Sequence, residues 1–264
     1  MNIKMIVSDL DGTLLRTDKT ISEYTKNIIH HCRNKGIKFA YATARGGSAE
    51  RLVSDCLADG KIRMNGAVAK IGDKVIYDRL ITYNLTRSFL SACDEKGMLI
   101  TAESYGENYS IHYVNKHMHN SRYDKHQILI DVSQHNVDSE KIYIVDLTPD
   151  DEEFIINNLP NDLYFVMARE GNGFGMIMHK DATKAKAVSA LADFWKIKQS
   201  EIVAFGDDLN DIDLLSFAGI GVAMENALDK VKGVADYICS SNDDDGVAKW
   251  IEENLLKMKG DERC

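Results

Sequence analysis

Met5-Ile6-Val7-Ser8-Asp9-Leu10-Asp11-Gly12-Thr13-Leu14-Leu15 decides the fold. A short apolar, β-prone run stops at two acids one residue apart, and a Gly-Thr turn follows. Open α/β sheets place ligands in the crevice outside the carboxyl ends of their strands, which is where these acids fall. Burying two carboxylates there is costly unless a cation or hydrogen-bond donors compensate. The pattern therefore asks for a metal, and for further ligands elsewhere in the chain.

A second stretch follows the same grammar. Ile202-Val203-Ala204-Phe205-Gly206-Asp207-Asp208-Leu209-Asn210-Asp211 again runs from an apolar strand into acids. Between the two, Thr43 follows Phe39-Ala40-Tyr41-Ala42, and Lys184 opens a helix after Asp181. Around these points strands over 3–8, 37–42 and 61–64 alternate with helices over 22–35 and 48–57. Ser22 is the cap and Gly36 the stop of the first helix. Segments 68–71 and 74–81 form a hairpin across Gly72-Asp73. Such alternation predicts βαβ units and a doubly wound parallel sheet.

From about residue 83 the order changes to a helix over 85–96, strands over 98–104, 108–115 and 142–146, a helix starting near Pro149, and strands over 163–168 and 174–179. This predicts a smaller α+β domain, an antiparallel sheet with helices on one face, inserted into the first. The α/β pattern then resumes: helix 183–195, strand 202–205, helix 210–217, strand 220–224, helix 227–232, strand 237–239 and helix 247–258. The expected division is a core of 1–82 and 180–264 around an insert of 83–179.

With 264 residues, 44% apolar and 28% charged, the chain is ordinary for a soluble protein and near the length at which cores divide. Its net charge of −9 argues against sequence-independent nucleic-acid binding. An anionic substrate would have to be drawn in by a local metal or lysine. Cys32, Cys56, Cys93, Cys239 and Cys264 show no C-x-x-C spacing, which predicts a reduced compartment without disulfides or a zinc knuckle. Asp9 and Asp11 interrupt any secretory leader, and no run approaches the ~18–20 apolar residues of a membrane span. The expectation is a cytoplasmic protein with no nucleic-acid, membrane or obligatory protein partner.

Acid-x-acid, hydroxyl, lysine, then Gly-Asp with Asn-Asp behind it: taken in this order, the set resembles the haloacid dehalogenase-like phosphohydrolase superfamily. Asp9-Leu10-Asp11-Gly12-Thr13, Thr43, Lys184 and Gly206-Asp207-Asp208-Leu209-Asn210-Asp211 match its four motifs. Asn65-Gly66-Ala67, Val222-Ala223-Met224-Glu225-Asn226-Ala227 and Asp245-Gly246-Val247-Ala248 look like its Cof-like branch, whose members carry an inserted α/β cap. The resemblance implies a Mg²⁺-dependent phosphatase of a small phosphorylated metabolite, such as a sugar phosphate, nucleotide or phosphorylated cofactor. The cap would close over the core and choose the leaving group.

In that reading Asp9 attacks phosphorus to form an aspartyl-phosphate, and Asp11 protonates the leaving oxygen and then deprotonates water. Asp9, Asp207 and the Asp11 backbone carbonyl would hold Mg²⁺, which takes oxygen ligands and keeps several waters. Without the ion, repulsion between carboxylate and phosphate at ~4 Å is on the order of 4 kcal/mol at an effective dielectric of about 20. Thr43, the amides of Leu10 and Ala44, Lys184 and Asn210 would donate to the phosphoryl oxygens. Asp211 would orient Lys184 or a metal-bound water. Asp208 is left out of the ligand set. Ala44 stands where the family commonly has Gly, so a positive φ there would be disfavoured. Arg45 reads either as a phosphate or substrate contact or as a surface ion pair.

Two rivals remain, a phosphomutase of the same chemistry and a non-catalytic phosphometabolite binder. Asp11 argues against the binder, which needs no proton shuttle. In the insert, His112, His117, His119 and His126 stand with Tyr105, Tyr109, Tyr113 and Tyr123 interspersed. Acids near these histidines are sparse and no cysteine accompanies them, which argues against zinc, and polar loop or substrate-selecting surface is expected. Met167, Met176 and Met178 read as core or interface filler. The acids of 243–245 read as a helix N-terminal region.

Overall fold

Met5, Ile6, Val7 and Ser8 are all fully buried, and a strand with no exposed position must be covered on both faces. In the structure, a computed structural model describing residues 2–54, 56–111, 129–134, 136–167 and 173–256, this run is β1 (Met5–Ser8). β2 (Lys38–Ala42), β3 (Gly60–Arg63), β4 (Val68–Ile71) and β5 (Lys74–Asp78) follow it. The strands of the insert are β6 (Leu99–Ser104), β7 (Glu107–Ser110), β8 (Leu129–Asp131), β9 (Lys141–Val145), β10 (Leu163–Met167) and β11 (Gly175–His179). β12 (Ile202–Gly206), β13 (Ile220–Met224) and β14 (Tyr237–Cys239) complete the set.

The chain forms two compact units, Met1–Asp78 with Thr183–Cys264, and Arg79–Ala182. Residues 79–82 and 180–182 go with the second unit because their bonds lie there. Ile81 exchanges backbone bonds with Ser139, Lys180 N donates to Asp162 O, and the Tyr164 hydroxyl donates to Ala182 O.

The first unit carries an eight-stranded sheet in the order β14-β13-β12-β1-β2-β3-β4-β5. Its six strands from β14 to β3 run parallel, and β4 and β5 turn back across Gly72, whose φ is 55°. Strand order reverses at β1, which makes the space beyond β1 and β12 the switch point where open sheets bind ligands. The register sets Ser8 beside Phe205, so both acidic segments leave the sheet next to each other. Helices Glu23–Asn34 and Gly246–Ile251 pack together, and Lys184–Trp195 packs with Ile212–Phe217. Ser22 caps the first helix by accepting from Thr25 N at 3.0 Å.

Two helices differ from expectation. The predicted helix over 48–57 is one turn, Ala49–Leu52, because Val53 turns to φ −117°, ψ 111° and is fully buried. Burial of Val53 and Leu57 outweighs helical continuation here. The C-terminal helix is Gly246–Ile251, followed by a wider π-type turn, Glu252–Leu256. Asp245 precedes it but does not cap it; its carboxylate instead receives Arg16 and Thr25.

The second unit has a six-stranded sheet ordered β10-β11-β9-β6-β7-β8. Its pairings are antiparallel except β7 with β8, which are parallel, a departure from the predicted all-antiparallel sheet. Helices Tyr83–Glu95 and Pro149–Asn158 both feed its apolar core, through Phe89, Leu90 and Ile155. Thr148 and Asp151 form a reciprocal cap ahead of Pro149. Among the described residues no helix is long and apolar enough to cross a membrane.

Candidate active site

Asp9 follows β1 and donates its backbone N–H to Phe205 O at 3.0 Å, which fixes it against the end of β12. Asp207 emerges one residue beyond that strand, and Asp211 returns on a short 3₁₀ turn, Leu209–Asp211. Oxygens of Asp9, Asp207 and Asp211 all lie within 4.8 Å of one another, and all three residues are buried. Gly206 makes this convergence sterically feasible, since a Cβ there would overlap Asp211 and come within 2.8 Å of its Oδ2.

Lys184 enters from the start of its helix, with Nζ 2.6 Å from Asp9 Oδ1 and 2.6 Å from Asp211 Oδ1. Asp211 Oδ2 accepts from the amides of Asp207 at 3.0 Å and Asp208 at 3.1 Å. Both Asp211 oxygens are thus engaged, and this residue holds Lys184 in place. Asp208 spends its carboxylate on Leu209 N, as a turn cap.

Three carboxylates face the single positive charge of Lys184. Burial raises the Asp9 carboxyl above the usual range, against the opposing pull of Lys184. Burial also pushes Asp207 up to about 6, which the Thr13 hydrogen bond only partly offsets. Burial alone would lower Lys184, but the carboxylates of Asp211 and Asp9 outweigh it and raise the ammonium.

Two residues to which no role was given in the sequence also shape the site. Thr13 Oγ1 donates to Asp207 Oδ1 at 2.8 Å, and Asn226 Nδ2 donates to Gly12 O at 2.7 Å. Gly12 itself has φ +78°, and a Cβ there would overlap the Asp207 carboxylate. Gly12→Ala is therefore expected to lower thermal stability by clearly more than Gly36→Ala. Gly36 has a similar φ of +82° with nothing within 4 Å, so it isolates the left-handed backbone cost of about 1–2 kcal/mol. Equal melting temperatures for the two variants would show that the Asp207 contact carries no weight.

Thr43 is buried at the end of β2, and its Oγ1 accepts from Arg45 N at 3.1 Å, leaving its O–H as a donor. Ala44 is not among the residues with positive φ, so replacing glycine carries no strain there. Asn65 N donates to Thr43 O at 2.9 Å, and Asn210 Nδ2 donates to Asn65 Oδ1 at 2.8 Å. Met64, Asn65 and Gly66 all adopt positive φ, of 49°, 53° and 101°. This strained turn brings Gly66 so close to Thr183 that a Cβ would overlap its carbonyl. Thr183 caps the helix of Lys184, so the turn after β3 sets the origin of the lysine. Asn65-Gly66 was visible only as a motif; the left-handed turn explains why Asn and Gly occupy it.

The Asp11 carboxylate stands apart from the acidic cluster. Arg45 grips it with Nε on Oδ2 and Nη2 on Oδ1, the latter at 2.7 Å, and Lys19 Nζ adds 2.8 Å to Oδ1. Burial works to raise this carboxyl, but Arg45 and Lys19 outweigh it and hold it below the usual range. Leu10 is fully buried. In the second unit, Tyr105 is exposed and the Tyr109 hydroxyl donates to Glu107. Met178 is fully buried, and Met167 and Met176 are half-buried. His112, His117, His119, His126, Tyr113 and Tyr123 lie outside the described residues.

The chain as a whole is similar to known phosphatases. A 5-amino-6-(5-phospho-D-ribitylamino)uracil phosphatase of Bacillus subtilis (strain 168), YcsE, is 28% identical over 97% of this chain and 97% of its own length. The structure of the phosphatase BT1666 from Bacteroides thetaiotaomicron superposes with a TM-score of 0.81 at 26% identity, covering 95% of this chain and 94% of that one. BT4131, described as a subclass IIB sugar phosphatase of the HAD superfamily, gives 0.77 at 27% identity, with 95% and 98% covered. The profile of the haloacid dehalogenase-like hydrolases matches residues 6–251, and the chain belongs to that family.

Proposed function

We propose that this enzyme is a Mg²⁺-dependent phosphatase that hydrolyses a small phosphorylated metabolite through an aspartyl-phosphate on Asp9. The observation that carries the reading is the meeting of Asp9, Asp207, Asp211 and Lys184 beyond two adjacent parallel strands.

The donor set suits an oxygen-seeking divalent cation. Asp9 and Asp207 are buried carboxylates pushed above their usual range, a state that a cation relieves. Asp211 is already engaged by Lys184 and by the amides of Asp207 and Asp208, and the family resemblance gives the ion to Asp9, Asp207 and the Asp11 backbone carbonyl. When bound, Mg²⁺ supplies the positive charge that lets a phosphate dianion approach a carboxylate.

Asp9 attacks phosphorus, and the bond to the leaving oxygen breaks as Asp11 delivers a proton to it. Asp11 then takes a proton from the water that hydrolyses the acyl phosphate, restoring Asp9. Lys184, already against Asp9 Oδ1, donates to the phosphoryl oxygens alongside Thr43 Oγ1, the amides of Leu10 and Ala44, and Asn210. Asn65 orients Asn210, and Asp211 orients Lys184. The Arg79–Ala182 unit serves as the cap that selects the leaving group.

Phosphorylated sugars, nucleotides and cofactor precursors, including 5-amino-6-(5-phospho-D-ribitylamino)uracil, are the panel to assay with Mg²⁺ and with EDTA. Inorganic phosphate is expected from at least one member and is lost on chelation. An isomeric sugar phosphate as sole product would make the protein a mutase. Silence across the panel would bring the non-catalytic binder forward.

A further inference from the structure

Asp11 is held more firmly than a proton shuttle requires. Its carboxylate has about four lone-pair positions, and Arg45 and Lys19 occupy three of them. Two cations on one carboxylate also leave a surplus positive charge beside the reaction centre. The backbones that carry these cations are anchored. Arg45 N donates to Thr43 Oγ1, and its carbonyl accepts from Met64 N at 3.1 Å. Lys19 sits at φ 68° in a turn whose Arg16 and Thr17 are tied to Asp245 and Asp243. Their charged heads nevertheless reach solvent, with side chains 29% exposed for Arg45 and 50% for Lys19.

An arginine fork accepts any pair of anionic oxygens in that geometry, from carboxylate or phosphate alike. A neutral hydroxyl replacing Asp11 would exchange charge-assisted bonds for a weaker one, whereas an anionic group would exchange like for like. We propose that Arg45 and Lys19 form a subsite for a second anionic group on the substrate, a carboxylate or a further phosphate, filled by Asp11 when substrate is absent. The proposal rests on the phosphatase reading and narrows its substrate class to phosphorylated acids and bisphosphates. Seating that group draws Arg45 off Asp11 and opens Oδ2 toward the leaving oxygen, so the same contact selects the substrate and frees the proton shuttle.

Matched pairs test it: 3-phosphoglycerate against glycerol 3-phosphate, and 6-phosphogluconate against sorbitol 6-phosphate, each differing by a carboxylate in place of a hydroxymethyl group. 4-Nitrophenyl phosphate reports hydrolysis as such. The wild-type enzyme is expected to favour the acid of at least one pair by about tenfold or more in kcat/KM. Arg45→Ala should reduce that preference to within about threefold, chiefly through KM for the acid, and Arg45→Lys should fall between because it keeps charge without the fork. Lys19→Ala, at an exposed position, should reduce it partially and serves if the Arg45 variants do not fold. A merely structural role would lower both members of a pair equally. Hydrolysis of 4-nitrophenyl phosphate with no acid preference in the wild type, or a preference that survives in folded Arg45→Ala, overturns the subsite alone. Absence of phosphate release from every compound overturns the phosphatase reading, and the subsite with it.

Discussion

Asp9→Asn is expected to reduce phosphatase turnover by ~10⁴-fold or more, the scale on which removing a nucleophile acts, while the protein stays folded. The substitution is nearly isosteric, and the amide oxygen can still accept from Lys184. Lys184 keeps Asp211 at 2.6 Å, so the lysine is not orphaned. Removing one of three buried carboxylates relieves desolvation and mutual repulsion, so the metal-free variant should melt no lower than the wild type. Magnesium should separate the two proteins. At a hundredfold excess over its dissociation constant, a ligand stabilises the folded state by about 2.7 kcal/mol, which for a unit of this size is roughly 5–10 °C in Tm. The wild type should show that shift and Asp9→Asn should lose most of it. Retained turnover of an aryl phosphate would remove Asp9 as nucleophile; an unchanged magnesium shift would remove it as a ligand.

The parts of this site readable in the sequence were those fixed by short-range rules. A buried strand ending in acids locates Asp9 and Asp207, because an apolar run must lie in the sheet and the acids cannot. Their adjacency follows from β1 pairing with β12 and is reinforced by the Thr13–Asp207 hydrogen bond between residues 194 apart, neither of which any local pattern encodes. The order of motifs supplied it by resemblance. Lys184 was one lysine among neighbours; the structure distinguishes it because Lys180 and Lys186 do not share its burial between Asp9 and Asp211. Arg45 stayed ambiguous since an arginine near a strand end pairs with whatever anion the fold presents, and here that is Asp11. The shortened Ala49–Leu52 helix and the edge strand β8 were missed for one reason. Both depend on tertiary burial and pairing, which override propensity over so few residues.

Lys184→Met should be the most destabilising single change in the site, because it leaves its acids buried and unpaired. The Lys184 side chain is wholly inaccessible and makes two 2.6 Å contacts, to Asp9 and Asp211. Methionine matches its length and loses its charge. Breaking a buried pair from one side costs about 3–5 kcal/mol, equivalent to a fall in Tm of roughly 6–20 °C. Lys186→Met, two residues along on an exposed position, should leave Tm within about 2 °C. Two rescues distinguish an orphaned charge from a packing defect. Saturating Mg²⁺ should return part of the lost stability, since it neutralises Asp9 and Asp207 without the lysine. Adding Asp211→Asn should return more, because the amide oxygen can still receive the Asp207 and Asp208 N–H groups while the unpaired charge is gone. A double-mutant cycle should then give a coupling of about 1–3 kcal/mol, as contacting residues in one network do. If the single variant melts with the wild type, or the second substitution adds its full cost to the first, the acids are not held by this lysine. Activity should not return in either rescue, because neither a stabilised fold nor a neutralised Asp211 replaces the donor that meets the phosphoryl oxygens beside Asp9.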